Sequence, residues 1–189
     1  MAGGIGSRFW PMSTPEVPKQ FIDVLGTGRT MIQMTYDRFC KGEGALCKPQ
    51  NVWIVTSEKY VDLVRGQLPE VPEANILPEP ASRNTAPCIA YACWKIARVN
   101  PDSNIVVSPA DAFVLDSAEY RRVIGTALSL TASSTRIFTV GIKPLRPETG
   151  YGYIETGEAL GEEAPKGTAF KEKPDAPTAA QYIREGRYL

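Results

Sequence analysis

Apolar and polar residues follow one another in blocks along this chain, with the spacing switching between strand-like and helix-like periods. Asn51-Val-Trp-Ile-Val-Thr56 is a β-branched and aromatic run of the kind that fills a buried parallel strand. A helical polar-apolar pattern follows from Glu58 to Leu68. The alternation then repeats, with a strand from Asn75 to Leu77, a helix from Thr85 to Val99 and a strand from Asn104 to Ser108. A helix from Ala118 to Thr131 and a strand from Arg136 to Gly141 complete it. Strands alternating with helices of this length predict βαβ units. The expected fold class is therefore α/β and Rossmann-like, a mainly parallel sheet with helices on both faces.

Details of the pattern refine this expectation. Thr85, with Pro87 two places on, reads as an N-cap followed by an early-turn proline. Cys88, Ala92 and Ile96 then share one helical face, which predicts burial of Cys88. Trp10, Trp53 and Trp94 read as core or packing residues. The stretch from Gly157 to Gly167, rich in Gly and Glu, reads as an exposed and mobile loop. No internal repeat or low-complexity segment interrupts the chain.

Composition narrows the function. At 189 residues and 43% hydrophobic content, the chain holds enough apolar side chain for one sizeable core, so residues 1–189 are expected to form one domain. Acidic and basic residues balance at 21 each, leaving no overall field to draw the protein to nucleic acid or an anionic membrane. Phosphate binding must come from local placement. No apolar run approaches the ~20 residues that cross a bilayer, and the N-terminus lacks a signal pattern, so a cytoplasmic protein is expected. Cys40, Cys47, Cys88 and Cys93 form no C-x-x-C pair and read as reduced thiols. The chain has no histidine, which removes Ser-His-Asp and Cys-His hydrolases and any imidazole proton shuttle. Transfer to a nucleophile that is already anionic near neutral pH passes this filter, because it needs alignment and charge stabilisation rather than a proton shuttle.

The candidate chemistry begins at the N-terminus. Gly3, Gly4 and Gly6 can take positive φ and carry no Cβ, so the backbone around Ala2 and Ser7 can curl close to a ligand and offer N–H groups to anionic oxygens. Arg8 and, beyond a proline-punctuated stretch, Lys19 add a forked and a point cation. The loop is neither a P-loop, which ends in Gly-Lys-Ser/Thr, nor a dinucleotide fingerprint, which needs a third glycine where Phe9 stands. That makes a Rossmann dehydrogenase the least favoured reading. Asp111 follows the apolar Ile105-Val106-Val107 run and a Ser-Pro-Ala turn, at the sheet edge where the glycine loop should emerge. Its carboxylate suits Mg²⁺, which often takes one or two carboxylates and completes its shell with phosphate and water; capping of a turn is the other reading.

With Arg8, Pro11 and Pro18-Lys19-Gln20-Phe21 included, the opening segment resembles the signature of the nucleoside-diphosphate-sugar pyrophosphorylases. Its Phe-Trp-Pro-Met-Ser and Pro-Lys-Gln-Phe wording is most similar to the branch that transfers guanylyl to mannose 1-phosphate. Further matches follow in order. Glu79-Pro-Ala-Ser-Arg83-Asn84-Thr85-Ala-Pro87 is similar to the segment meeting base and ribose. Ser108-Pro-Ala-Asp111 resembles the metal-binding strand end. Arg146-Pro-Glu-Thr-Gly150-Tyr-Gly152-Tyr-Ile154 looks like the sugar-binding turn. Phe170-Lys-Glu172-Lys173-Pro174 looks like the segment holding the sugar and its phosphate.

The resemblance implies an enzyme that passes guanylyl from GTP to mannose 1-phosphate, giving GDP-mannose and pyrophosphate with Mg²⁺ as cofactor. It implies catalytic roles for Arg8, Lys19 and Asp111, with Asp111 as metal ligand. Nucleotide binding is implied for Ala2, Gly3, Gly4, Gly6, Ser7, Glu79, Arg83, Asn84 and Thr85, and sugar-phosphate binding for Gly150, Gly152, Glu172 and Lys173. Blander roles stand beside these. Arg83 can pair with a surface carboxylate, Asn84 can cap a helix, Lys171-Glu172-Lys173 can be a solvated cluster, and Tyr151 and Tyr153 can be strand core.

Ala112 departs from the family pattern, which has histidine there, and so bears on fine positioning of the metal. Against that pattern the catalytic domain reads as truncated at both ends, without its first strand or the later asparagine and second aspartate, and weak or no turnover by residues 1–189 alone is expected. Other bases or sugars, a non-catalytic nucleotide-sugar-binding paralogue and a homo-oligomer remain compatible with the sequence.

Overall fold

In a computed structural model of the chain, residues 1–4, 9–81, 83–159 and 164–189 are described. They fall into two compact units, Met1–Arg136 and Ile137–Leu189.

The first unit is α/β. Strands β1 (Ile54–Ser57) and β2 (Ile76–Glu79) pair in parallel, with Ile54 opposite Ile76 and Ser57 opposite Glu79. Side chains alternate across a strand, and here the alternation separates two cores. Ile54 and Ile76 point to one face and pack with Ile32, Tyr36, Val64 and Leu68. These come from α1 (Met31–Cys40), α2 (Val61–Gln67) and the residue after it. Val55 and Leu77 point to the other face and pack with Cys88, Tyr91 and Ala92 of α3 (Thr85–Val99). Helices thus cover both faces, as the strand-helix alternation predicts.

The chain start extends this sheet. The Ala2 amide donates to the Val55 carbonyl at 2.8 Å, and on the other side the Ala110 amide donates to the Met1 carbonyl at 3.0 Å. The Met1 ammonium also donates to the Ser108 carbonyl at 3.0 Å. Met1 and Ala2 therefore lie between β1 and the Ser108–Ala110 segment, with Met1 packed on one core and Ala2 on the other. Residues of Val52–Val55 and Asn104–Ser108 are among those lining a cavity of about 750 Å³. The expected strand Asn104–Ser108 has no ladder partner among the described residues, and Ile105, Val106 and Val107 are exposed. The expected strand Arg136–Gly141 likewise has no ladder partner among the described residues.

Local chemistry explains where the helices begin. In α1 the Gln33 side chain accepts from the Thr30 amide at 3.1 Å, and Arg29 forks the Asp37 carboxylate at 2.9 and 2.8 Å. The cap of α4 (Ser117–Ala132) is Asp116, whose carboxylate accepts from the Glu119 amide at 2.9 Å. Arg121 of α4 donates to the carbonyls of Arg38, Lys41 and Glu43, tying the chain after α1 to this helix. Helix α3 corrects one detail of the sequence reading. Thr85 is its first helical residue, and the cap position belongs to Asn84. Burial of Cys88 is as expected. Trp53 packs on the α3 core, whereas Trp10 and Trp94 are exposed, the latter flanked by Lys95 and Arg98 over its ring at 5.6 and 5.4 Å. Cationic stems shield that indole in place of a core.

The second unit is an antiparallel pair, β3 (Tyr153–Ala159) and β4 (Pro165–Lys171), followed by α5 (Ala176–Glu185). Asp175 caps α5 and Gly186, in the left-handed conformation, ends it. Ile154 exchanges backbone bonds with Leu189 at 2.8 and 3.0 Å, which lays the chain end along β3. Tyr188 stacks on Tyr182 at 4.0 Å, and Tyr153 and Ala179 complete a small core. The expected loop from Gly157 to Gly167 is instead largely hairpin arm. Gly157 lies in β3 and Gly167 in β4, on either side of register shifts where glycine lets the strands bulge; residues 160–163 lie outside the described residues.

Candidate functional site

Three pieces of chain meet at the carboxyl ends of the parallel strands. They are Ala2–Gly4, the 3-10 turn Lys19–Phe21, and the turn carrying Asp111. Ligands of open α/β sheets bind in the crevice at that edge. Ala2 is buried within the sheet, Gly3 is half-buried, and Gly4 is exposed with open space where a Cβ would stand. Gly3 and Gly4 do not adopt positive φ. Their smallness, rather than a left-handed turn, is what they supply. Gly6, Ser7 and Arg8 lie outside the described residues.

Lys19 and Asp111 form a direct ion pair, their side chains 27% and 30% exposed. The Lys19 ammonium also stands 5.5 Å from the Phe9 ring centroid. A cation so placed, half-open to solvent beside exposed backbone, can turn to an incoming anion. The Asp111 turn is itself held from below. Arg38 is 4% exposed, donates from Nη2 to the Ala112 carbonyl at 2.9 Å and lies over the Tyr120 ring at 5.1 Å. Burial lowers the pKa of its guanidinium, yet arginine stays charged. Ala112 thus contributes its carbonyl to the support of the turn.

Glu79 ends β2, and its Oε2 is 3.6 Å from the point where a Cβ on Gly3 would sit. Arg83, Asn84 and Thr85 are exposed at the start of α3. Asn84 has φ 65° and ψ −168°, a conformation that costs an asparagine about 1–3 kcal/mol and that clusters at ligand sites. Its side chain makes no capping bond to the helix.

In the second unit, Tyr153 is buried and its hydroxyl organises the turn before it. It accepts from the Glu148 amide at 2.9 Å and donates to the Glu148 carbonyl at 3.0 Å. Tyr151 is exposed. Gly152 lies against the Phe170 ring and the Glu172 carboxylate, where any Cβ would overlap the ring. The Gly150 amide donates to Glu148 Oε1 at 3.2 Å. Glu172 and Lys173 pair with each other at 3.1 Å, both exposed, and Lys173 has φ 39°. Gly152, Glu172 and Lys173 thus adjoin one another, while Gly150 lies against Glu148.

Sequence reasoning missed three residues of the first site. Gln20 and Thr56 are buried and donate to the Ala2 carbonyl, each at 2.9 Å. Arg38 supports the Asp111 turn. Gln20 stood within a recognised motif; Thr56 and Arg38 carry no linear signal, since their partners are 54 and 74 residues away.

Ala2–Gly4, Lys19 and Asp111 thus stand together at the carboxyl edge of a parallel sheet, where open α/β folds bind ligands. The chain belongs to the nucleotidyl transferase family, whose match runs over residues 1–189. It is 38% identical over 192 residues to the mannose-1-phosphate guanylyltransferase RfbM of Salmonella typhimurium, covering all of this chain and 39% of that protein. It is 39% identical over 196 residues to a mannose-1-phosphate guanylyltransferase of Escherichia coli K12, covering 40% of it. Among solved structures, the mannose-1-phosphate geranyltransferase of Thermus thermophilus superposes with a TM-score of 0.85 at 32% identity, over all of this chain and 52% of that one. A mannose-6-phosphate isomerase of Helicobacter pylori shares the fold, with a TM-score of 0.71 at 24% identity. The chain spans about two fifths of the length of the curated relatives it matches. Among the described residues no helix is long and apolar enough to cross a membrane.

Proposed function

We propose that this chain carries the nucleotide-binding part of an enzyme that transfers guanylyl from GTP to mannose 1-phosphate, releasing pyrophosphate and forming GDP-mannose. The observation that carries this reading is the Lys19–Asp111 pair set beside the bare backbone of Gly3 and Gly4 at the carboxyl edge of the sheet. The named activities of the relatives support the choice of base and sugar.

In this reading a phosphate oxygen of the sugar phosphate attacks the α-phosphorus in line. A new P–O bond forms, the bond from the α-phosphorus to the α,β-bridging oxygen breaks, and pyrophosphate leaves with that electron pair. The nucleophile is already anionic, so no protein base is needed. Backbone N–H groups of the opening loop bind phosphate oxygens. The Lys19 ammonium leaves Asp111 for the phosphate under attack, and Arg8 draws charge toward the leaving group. Glu79, Arg83, Asn84 and Thr85 meet the base and ribose, and Gly150, Gly152, Glu172 and Lys173 the sugar phosphate.

The donor set fits Mg²⁺ in one way. Among the described residues no three His, Cys, Asp or Glu side chains gather. Asp111 is partly open to solvent at the cradle, which suits an ion whose other positions go to water and phosphate. Once bound there, such an ion supplies charge neutralisation on the phosphates and a template for their alignment. Asp111 would hold it, and Arg38, through the Ala112 carbonyl, would keep that carboxylate in place.

Titration calorimetry against GTP, UTP, dTTP and ATP tests the assignment. Binding is expected to be strongest for GTP, and stronger binding of UTP or dTTP would overturn the guanylyl reading. Release of pyrophosphate from GTP only when mannose 1-phosphate is present, by a protein containing this chain, tests the transfer itself. GDP-mannose binding without turnover would favour a regulatory paralogue.

A further inference from the structure

A buried glutamine takes up two carbonyls of the glycine loop. Gln20 is 2% exposed, and its Nε2 donates to the Ala2 carbonyl at 2.9 Å and to the Gly4 carbonyl at 3.1 Å. In extended backbone, residues two apart turn their carbonyls to the same side, so a single amide NH₂ can hold both. The hydroxyl of Thr56, fully buried on β1, gives the Ala2 carbonyl a second donor at 2.9 Å. The 3-10 turn Lys19–Phe21 makes neighbouring side chains diverge, with Lys19 going to Asp111 and Gln20 to the loop.

Carbonyl oxygens repel an anion and amide N–H groups attract it, so which of them a loop shows to a polyphosphate decides whether it binds. We propose that Gln20 is a positioning residue of the phosphate cradle. Its amide draws the Ala2 and Gly4 carbonyls toward the protein, leaves the loop's N–H groups to the ligand, and fixes the loop in register with Lys19. This rests on the reading of the loop as a nucleotide site. It assigns to the glutamine a task that neither glycine nor lysine performs.

The test compares Gln20→Met, which keeps the buried volume and removes the donor, with Gln20→Glu, which sets an acceptor against two carbonyls. Asn75→Leu is the control. Asn75 is another buried amide that bridges two carbonyls, those of Gln50 and Val52 at 2.8 and 3.0 Å, remote from the loop. Two lost bonds to buried acceptors predict GTP binding weaker by about 10- to 100-fold in Gln20→Met, and by at least as much in Gln20→Glu. Asn75→Leu should lower the urea midpoint and leave GTP affinity within about twofold.

Backbone order parameters of Gly3 and Gly4 from NMR relaxation should fall in both Gln20 variants relative to that of Ala2, whose amide is bonded to Val55. Near-parental GTP affinity in Gln20→Met, or an equal loss in Asn75→Leu, would overturn the proposal. Should the parent chain bind no GTP, the nucleotide reading itself fails. The order parameters then decide the pinning alone, and unchanged values at Gly3 and Gly4 would refute it.

Discussion

Replacing Asp111 by asparagine should change nucleotide binding in opposite directions with and without magnesium. Asp111 and Lys19 are paired with side chains 30% and 27% exposed. Two unit charges about 4 Å apart attract by about 4 kcal/mol at an effective dielectric constant near 20, but desolvation and side-chain ordering reduce such half-open pairs to a net value of about 0.2–1 kcal/mol. Asp111→Asn removes the carboxylate that competes for Lys19 and repels the triphosphate. In EDTA, GTP should therefore bind about two- to fivefold more tightly. With magnesium the same change removes the protein's ligand to the ion. Binding should then weaken by at least about tenfold, the scale on which even outer partners of bound metals act. The stability change should stay under about 1 kcal/mol, or some 2–4 °C in melting temperature. Titration calorimetry of parent and variant in the two buffers reads the crossing. A shift of the same sign in both buffers, or none in either, would refute the placement of Asp111 between the lysine and the metal.

Three further predictions concern other parts of the chain. Asn84→Gly should raise stability by about 1 kcal/mol, because glycine adopts φ 65° without strain, yet weaken GTP binding through loss of the side-chain amide; a denaturation curve and a titration on one sample read both effects. Burial raises the Cys40 thiol and the Tyr36 phenol, each to about 12 from 9.0 and 10.0, so their contribution to stability is complete below about pH 9 and is lost as pH rises through about 12. The urea midpoint should fall over that window and fall less steeply in Cys40→Ala; identical slopes would contradict it. Tyr153→Phe should destabilise the second unit by about 1–3 kcal/mol by leaving the Glu148 amide and carbonyl without the hydroxyl that bridges them, as amide exchange at Glu148 would report.

How much was legible in the sequence varied with the kind of signal. The expected span of helix α3, Thr85 to Val99, coincides with the observed one, because its apolar face runs unbroken and breakers bound it. Strand β1 is shorter than its apolar run, since Pro49–Asn51 forms a 3-10 turn and the Asn75 amide takes the Gln50 and Val52 carbonyls. Helix α1 escaped notice because Thr35 and Arg38 stand at buried positions and break its apolar stripe. The Ala112 carbonyl and the Tyr120 ring, far along the chain, offset part of the cost of burying Arg38. The α5 helix carried readable signals in Asp175, in Gly186 and in a clearly amphipathic period, and it was legible in the sequence although no helix was expected there.

At the site, Lys19 and Asp111 were nameable from motif wording, and the structure joins them in one ion pair. The supports beneath them were not nameable. Gln20, Thr56 and Arg38 act through backbone carbonyls, and carbonyls have no residue type for a sequence pattern to detect.

The most direct test of the whole account is a crystal structure of the chain with GTP and magnesium. It should place the triphosphate against the backbone of the opening glycine loop, with Lys19 Nζ within hydrogen-bond reach of a phosphate oxygen and Asp111 turned from the lysine to the metal. A triphosphate bound elsewhere, with the Lys19–Asp111 pair intact, would contradict it.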